Sequence, residues 1–510
     1  MVEAREQVAQ YMQDVVSGVR SDVGWENTSS NNEGRFGESS MESSRPGPRA
    51  RFLRARDAWE RHENRVHAWA VTDFDAAEKR SDRLEEAVRH GDSPGALAGW
   101  TVGVKDVIDV VGFPTRNGSD APPRHPSKDA SSVQRLKREG ANILGKTETH
   151  EFAYGLITPQ TTHAFRPDRI AGGSSGGAAV AVANGSAEVA LGTDTGGSVR
   201  VPAALNGVLG FKPTHGRLAL DGVTPLSPTL DHLGVIASTW DGLEGVFSVL
   251  DSGSDVPVAS SHGLTMGYPP LTRESHVQPD IASALSEFLR VGDGAGATSQ
   301  KVELPLWDKV PAIHYGIMGP EASAEHAFLS PEDRSLLGEE TRSLLDGGHT
   351  IPATDYLHAL RWREEMRRLW VELFNSVDVL VLPTTPVVAP YRGEGEIRWP
   401  DGAVESVTDA LVRWCVPANI TGLPALTIPF GCDAEGMPIG LQVVGPPESD
   451  RWLLGTVRQL VEKWSSSTTT TEEAGWPRKL DLDPEGEALV SKRPSTMQRE
   501  NCSLDGIGRS

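Results

Sequence analysis

Residues 172–213, GGSSGGAAVAVANGSAEVALGTDTGGSVRVPAALNGVLGFKP, decide how the rest of the chain is interpreted. Two clusters rich in glycine and serine, residues 172–177 and 193–198, flank an apolar segment. Consecutive glycines lack the steric limits that a Cβ imposes, so neighbouring backbone N–H groups can converge on one point. A serine beside such donors has a hydroxyl that can attack a carbonyl carbon and N–H groups for the oxyanion that then forms. The stretch therefore indicates acyl-transfer chemistry.

No histidine lies in this stretch to act as the base that such a serine needs. Upstream, Lys105 lies in the apolar segment GWTVGVKDVIDVVG, residues 99–112. Desolvation lowers the pKa of a buried lysine, and a neutral amine can accept a proton. A lone lysine in a valine-rich strand more often extends its amine to solvent. Its occurrence together with two serine clusters favours Ser–Lys chemistry over a Ser–His–Asp triad.

Length, composition and charge limit the class of protein and its partners. The 510 residues carry 49 basic and 70 acidic side chains, a net charge of −21, which argues against nucleic acid or an anionic membrane as a partner. No apolar run of about 18 residues predicts a membrane span, and the N-terminus lacks a secretory signal pattern. The three cysteines match neither a disulfide framework nor a zinc site. A cytoplasmic protein without metal or cofactor is expected.

The chain divides into three parts by composition. Residues 1–50 are expected to form a short helix followed by a disordered segment rich in Ser, Asn, Gly and Pro. Residues 51–464 form the expected catalytic domain, and residues 465–510 a low-complexity, disordered tail. Residues 481–486 of the tail resemble half a calcium loop, but Lys492 stands where the bidentate carboxylate is needed, so calcium binding is not expected.

Hydrophobic periodicity places the remaining elements approximately. Two amphipathic helices are predicted around a short strand at 66–71, and helices are also predicted at 322–328 and 353–374. Asp129 and Asp450 are predicted to cap the helices that follow them. Residues 391–405 are predicted to form a polar loop. Further strands are expected at positions 141–145, 378–382, 424–429 and 439–445.

Two familiar motifs occur in contexts that argue against them. GANILGKT, residues 140–147, fits the phosphate-loop pattern, yet its four middle residues read as a buried strand rather than a flexible anion cradle. Gly172-x-Ser174-x-Gly176 fits the nucleophile elbow of α/β-hydrolases. That elbow needs an acid and then a histidine downstream, and no later histidine is marked by its surroundings. An α/β-hydrolase therefore remains as an alternative only.

Several blocks of this chain, in this order, resemble the amidase signature family. The resemblance covers approximately residues 52–464 and therefore nearly all of the expected ordered chain. Beyond the two serine clusters, it is carried by VGVKDVIDVVGFPT, DASSVQRLKREGANILGKTETHEFAYG, DVLVLPTTP and NITGLPALTIPFG with GMPIGLQVVGP. It implies an α/β fold: a single α/β/α sandwich domain around a large mixed, mostly parallel sheet.

The resemblance also implies a Ser–Ser–Lys triad in which Ser198 is the nucleophile, Ser174 the bridging serine after a cis peptide bond, and Lys105 the base. The two serines are 24 positions apart, as is usual in the family. The reaction implied is hydrolysis of a carboxylic amide through a serine acyl-enzyme. The implied oxyanion hole consists of the backbone N–H groups of Thr195, Gly196, Gly197 and Ser198. The side chains expected to support the site are those of Ser175, Asp194 and Arg200.

The family contains both free-standing amidases and the glutaminase subunit of a tRNA-dependent amidotransferase. The glutaminase branch has Asp-Gln-Ile-Gly where this chain has Asp-His-Leu-Gly at 231–234, and an Asp where this chain has Val412. Because valine cannot pair with an ammonium group, a stand-alone amidase acting on a small-molecule amide is favoured, with the glutaminase as the alternative. Homodimers are common in the family. Whether His232 or Cys415 lines the pocket is left open by the sequence.

Overall fold

An eleven-stranded mixed sheet is the centre of the fold, and the computed structural model describes it within residues 46–253 and 263–468. The predicted N-terminal segment and C-terminal tail, including the calcium-loop mimic, lie outside these residues except for their inner edges. The strands are β1 Trp69–Thr72, β2 Thr101–Lys105, β3 Asn142–Thr147, β4 Val189–Asp194, β5 Leu209–Lys212, β6 His232–Ala237, β7 Thr265–Tyr268, β8 Thr298–Lys301, β9 Val379–Pro383, β10 Glu396–Arg398, β11 Val404–Ser406, β12 Ala425–Cys432 and β13 Pro438–Val444.

Helices accompany the sheet along the chain, as expected for an α/β protein. The longest of the described helices lies in the predicted 353–374 region. The helices are α1 Pro48–Val66, α2 Phe74–Arg89, α3 Ser131–Arg138, α4 Gly176–Ala183, α5 Arg200–Asn206, α6 Trp240–Leu250, α7 Pro279–Gly294, α8 Val310–Glu325, α9 Pro331–Ser335, α10 Glu339–Thr350, α11 Ala353–Leu373, α12 Val407–Arg413, α13 Val416–Thr421 and α14 Asp450–Thr468.

The α/β class and the large mixed sheet are confirmed, but the expectation of a mostly parallel sheet is wrong. The strand order is β1-β3-β2-β4-β6-β5-β12-β13-β9-β7-β8. Six of the ten neighbouring pairs are antiparallel, and four are parallel. The short β12–β13 connection allows only antiparallel pairing, because parallel neighbours need a long crossover.

Three local predictions differ from the structure. The Asp129 carboxylate accepts the Val111 N–H at 2.7 Å and pairs with Lys137, so it does not cap α3. The Asp450 carboxylate accepts from the N–H and hydroxyl of Thr214, at 2.7 and 2.6 Å. The predicted loop at 391–405 contains the antiparallel pair β10–β11. For the two aspartates, a contact beyond the local segment decides the conformation.

The packing of α4 explains why the first serine cluster lies inside the protein. All eight of its residues are buried, and a helix that is apolar on all sides has to lie in the core. Its residues belong to a core of small apolar side chains together with Ala190 of β4 and Ile236 of β6. Ser174 and Ser175 immediately precede this helix, so they are fully buried.

The register of β2 and β4 brings the lysine and the second serine cluster to one edge of the sheet. These strands are adjacent and parallel, with Val104 opposite Leu191. Their carboxyl ends therefore lie side by side, which places Lys105 next to Thr193 and the turn that follows β4. The candidate site is built at this edge.

Candidate active site

Lys105 is completely buried at the end of β2, and its amine faces hydroxyl groups. Its Nζ lies 2.7 Å from Ser174 Oγ and 2.8 Å from Thr193 Oγ1. Burial lowers the pKa of Lys105 to about 7, although the negative charges of Asp194 and Asp231 act in the opposite direction. At neutral pH a large fraction of this amine is therefore uncharged and able to accept a proton.

The two serine clusters are in direct contact. The Ser175 N–H donates to the Ser198 carbonyl oxygen at 3.1 Å, and the Ser175 hydroxyl donates to the Thr193 carbonyl at 3.3 Å. The peptide bond between Gly173 and Ser174 is cis. The Ser174 carbonyl accepts from the His150 N–H at 3.1 Å. Ser198 is thus linked through its carbonyl to the cluster whose Ser174 hydroxyl contacts Lys105.

The turn after β4 presents backbone N–H groups, but not all four that were expected. The Gly197 N–H donates to Asp194 Oδ1 at 2.8 Å, so this donor is already engaged inside the protein. Among the described residues, the N–H groups of Thr195, Gly196 and Ser198 have no protein acceptor. These three N–H groups of one turn are therefore available to donate to an oxygen atom bound there.

A buried ion pair holds this turn in place. Arg200 donates to both carboxylate oxygens of Asp194, at 2.8 and 3.0 Å, and Asp194 Oδ2 also accepts the Val199 N–H. Burial alone would raise the pKa of Asp194, but the charge and hydrogen bonds of Arg200 and a hydrogen bond from Asn419 hold that pKa well below its usual value. The carboxylate therefore stays ionised and fixes the shape of the turn, the supporting arrangement that the sequence predicted for this pair.

Asn419 and Thr193 are site residues to which sequence reasoning gave no role. The Asn419 amide donates to Asp194 Oδ1 at 2.9 Å, and its oxygen accepts from Arg200 at 2.7 Å. Thr193 supplies the second hydroxyl at the Lys105 amine. The position of Thr193 at the start of the second serine cluster was the available signal. Asn419 is brought in by β12 and its preceding helix, which no local pattern shows.

A strained loop lies beside Ser174. Phe152 and Ala153 have φ values of 49° and 62°, a left-handed conformation that residues with a Cβ seldom adopt. The segment is tied to the site because His150 binds the Ser174 carbonyl. Strained residues of this kind persist only where the surroundings enforce them, and they cluster at functional sites.

The remaining candidates have structural roles. Lys146 of the phosphate-loop pattern is buried within β3 and pairs with Asp106 at 2.7 Å, which excludes a flexible anion cradle. The His232 Nδ1 lies 2.7 Å from the Leu230 carbonyl oxygen, and burial keeps the pKa of this imidazole well below its usual value. Cys415 lies against Gly197 and donates to the Thr384 carbonyl, and burial raises its pKa to about 12.

This combination of fold and site defines an α/β protein in which a buried lysine amine contacts a serine hydroxyl beside a glycine-rich turn. Comparison with known proteins specifies the class further. The Amidase family model matches residues 53–454, and the chain belongs to that family, the amidase signature enzymes. The protein is accordingly a hydrolase that acts on carbon–nitrogen bonds of amides.

Individual relatives agree with this assignment. An amidase of Pseudomonas putida is 38% identical over 391 residues, which cover 74% of this chain and 84% of the relative. A glutamyl-tRNA(Gln) amidotransferase subunit of Roseiflexus castenholzii is 33% identical over 459 residues, covering 81% and 92%. A crystal structure of an amidase matches with a TM-score of 0.77 at 33% identity, covering 82% of this chain and 96% of the other.

No helix within the described ranges is both long enough and apolar enough to cross a membrane.

Proposed function

We propose that this chain hydrolyses small-molecule amides with Ser198 as nucleophile, Ser174 as proton relay and Lys105 as base. The neutral Lys105 amine takes the Ser174 hydroxyl proton while Ser174 takes that of Ser198. Ser198 Oγ then attacks the amide carbonyl carbon and forms a tetrahedral oxyanion. The C–N bond breaks as Ser174 returns a proton to the leaving nitrogen, which departs as ammonia or an amine. Water attacks the acyl-enzyme by the same relay and releases the carboxylic acid.

The observation that carries this proposal is the contact between Lys105 and Ser174. A fully buried amine with a pKa of about 7, 2.7 Å from a serine hydroxyl, is suited to remove that hydroxyl's proton. A charged lysine held by a carboxylate could not do so. The oxyanion hole that fits this proposal consists of the N–H groups of Thr195, Gly196 and Ser198, because the Gly197 N–H already binds Asp194.

The side chains around the turn favour an uncharged acyl group. Val412 lies against Gly196, since a Cβ on that glycine would come within 3.1 Å of Val412 Cγ2. Of the carboxylates near this turn, Asp231 is buried and accepts from the Thr195 hydroxyl at 2.6 Å, and Asp194 is paired with Arg200. The valine at position 412 therefore provides no carboxylate to pair with the ammonium group of a glutamine substrate. An apolar or aryl amide is the substrate class that fits these contacts.

A glutaminase is the second candidate, because the Roseiflexus relative is a glutamyl-tRNA(Gln) amidotransferase subunit of similar length. The Val412 side chain argues against it. Co-purification with partner subunits, together with glutamine-dependent ammonia release, would favour the glutaminase over the free-standing enzyme.

Fluorophosphonate labelling and amide turnover test the roles of the two serines. Ser198→Ala should abolish both, and Ser174→Ala should lower turnover at least about a hundredfold because the relay is lost. Ser283→Ala, on the exposed surface of α7, is the matched control and should behave as wild type. Retained labelling in Ser198→Ala with loss in Ser174→Ala would overturn the assignment in favour of the nucleophile elbow.

A further inference from the structure

His314 is a buried histidine on α8 whose imidazole covers the turn that carries the nucleophile. Only 3% of its surface is exposed. A Cβ built on Gly196 would lie 3.1 Å from His314 Nε2. The imidazole therefore lies against Gly196, one of the proposed oxyanion donors.

Within the part of the chain that the structure describes, neither nitrogen of this imidazole has a hydrogen-bond partner. Buried polar groups in folded proteins are nearly always paired, and leaving them unpaired costs free energy. The adjacent Tyr315 cannot compensate, because its hydroxyl donates to Asp409 Oδ1 at 2.6 Å. Asp409 in turn accepts from Ser406 at 2.7 Å and makes no hydrogen bond with His314. An unpaired polar group facing a reactive turn indicates that its partner is a molecule bound there.

The ionisation state of His314 limits what that partner can be. Burial lowers its pKa to about 4, with a small opposing effect from the charge of Asp409. The imidazole is therefore neutral at physiological pH and presents one N–H donor and one lone-pair acceptor. It carries no positive charge that would attract a carboxylate or a phosphate.

We propose that His314 accepts a hydrogen bond from the N–H of the scissile amide and so selects amides that carry such a hydrogen. This inference rests on the proposed function, because it assumes that the substrate carbonyl is bound at Ser198.

The chemistry of an amide leads to this assignment. In the proposed complex, the N–H groups of Thr195, Gly196 and Ser198 donate to the carbonyl oxygen of the amide. The other polar group of the amide is its N–H, which needs an acceptor. The glycines of the turn also contact the apolar Val412 and Cys415, whose thiol is already bonded to the Thr384 carbonyl. The carboxylates of Asp194 and Asp231 are engaged by Arg200 and by the Thr195 hydroxyl. An acceptor at the N–H also orients the nitrogen lone pair, which has to receive the proton from Ser174.

A pair of probes with the same acyl group tests the proposal. 4-Nitroacetanilide has an N–H, 4-nitrophenyl acetate has an oxygen in its place, and both give the same acetyl-enzyme. His314→Phe should lower kcat/KM for the anilide at least about tenfold, the contribution of one hydrogen bond, and change that for the ester less than about twofold. His314→Gln supplies an acceptor again and should recover part of the loss. N-methyl-4-nitroacetanilide lacks the N–H, so the kcat/KM values of wild type and His314→Phe for this probe should differ by no more than those for the ester.

The outcomes separate this proposal from the proposed function. An equal fall with anilide and ester, or no change with either, would show that His314 has only a structural role. Fluorophosphonate labelling of His314→Phe at the wild-type rate shows that Ser198 and its relay are intact. If wild type neither labels nor hydrolyses either probe, the proposed function fails, and the assignment of His314 fails with it.

Discussion

The rate of amide hydrolysis should rise with pH up to about 7 and then level off. Lys105 has to be neutral to act as a base, and burial lowers its pKa from 10.5 to about 7. Below that value the amine becomes protonated, so kcat/KM for 4-nitroacetanilide should fall about tenfold for each pH unit. Above it the base is already neutral, and no further gain is expected from this group.

The size of the effect follows from the shift. A solvated lysine with a pKa of 10.5 would be neutral in roughly one molecule in 3,000 at pH 7, whereas about half of the Lys105 side chains are neutral there. Burial therefore raises the amount of competent base by roughly a thousandfold. That gain would be lost if solvent reached the amine.

A variant of Asp231 shows which group titrates in the pH profile. Burial raises its pKa to about 6, so this carboxyl could produce a similar limb in the pH profile. Its charge also raises the pKa of Lys105. In Asp231→Asn the limb should therefore move to lower pH if Lys105 is the titrating group, and disappear if Asp231 is. A profile that stays flat from pH 5 to 9 in protein shown to be folded throughout would refute a lysine base.

Two further predictions concern the turn at residues 194–198, which carries Ser198, and are tested by the free energy of urea unfolding. Arg200→Met leaves a buried carboxylate without its cation and should cost about 3–5 kcal/mol, whereas Arg290→Met, at an exposed ion pair, should cost less than about 1 kcal/mol. Gly197→Ala should cost about 2–3 kcal/mol, because φ is 131° and the new Cβ would lie 2.7 Å from that of Cys415. Gly347→Ala, in an open helical position, should be neutral or stabilising by up to about 1 kcal/mol. Equal effects in variant and control would contradict the reasoning in either pair.

The parts of the site that the sequence predicts are those encoded in short segments. The valine-rich segment around Lys105 predicts a buried strand, and burial is what lowers the pKa of its amine. The glycines of 172–177 and 193–198 predict tight turns with converging N–H groups, and the apolar helix α4 places the first of these turns in the interior. Asp194 and Arg200 are six residues apart, so their pairing is also a local matter.

The features that the sequence does not predict depend on distant partners. Asp450 looks like a helix cap, yet its carboxylate is used by Thr214, 236 residues away. The Gly197 N–H looks available in the sequence, but the fold turns it onto Asp194. The helix that carries His314, α8, begins at Val310, whereas the sequence predicted a helix only from residue 322. Periodicity cannot reveal that one buried histidine faces the nucleophile turn while others bind backbone carbonyls.

Burial by itself does not make a lysine a catalytic base, as three fully buried lysines of this chain show. Lys146 pairs with the Asp106 carboxylate, which favours its charged form. Lys212 donates to the carbonyl oxygens of Pro213 and Leu423, which have no proton to give. Lys146 also contacts the Thr115 hydroxyl, at 3.3 Å, but its nearest partner is the carboxylate. Among the described residues, Lys105 alone of these three has only hydroxyl groups as hydrogen-bond partners, and these can both accept a hydrogen bond and donate a proton. What distinguishes the proposed base is therefore the partner that can exchange a proton with it, and moving a carboxylate to the position of the Thr193 hydroxyl would turn this amine into another structural cation.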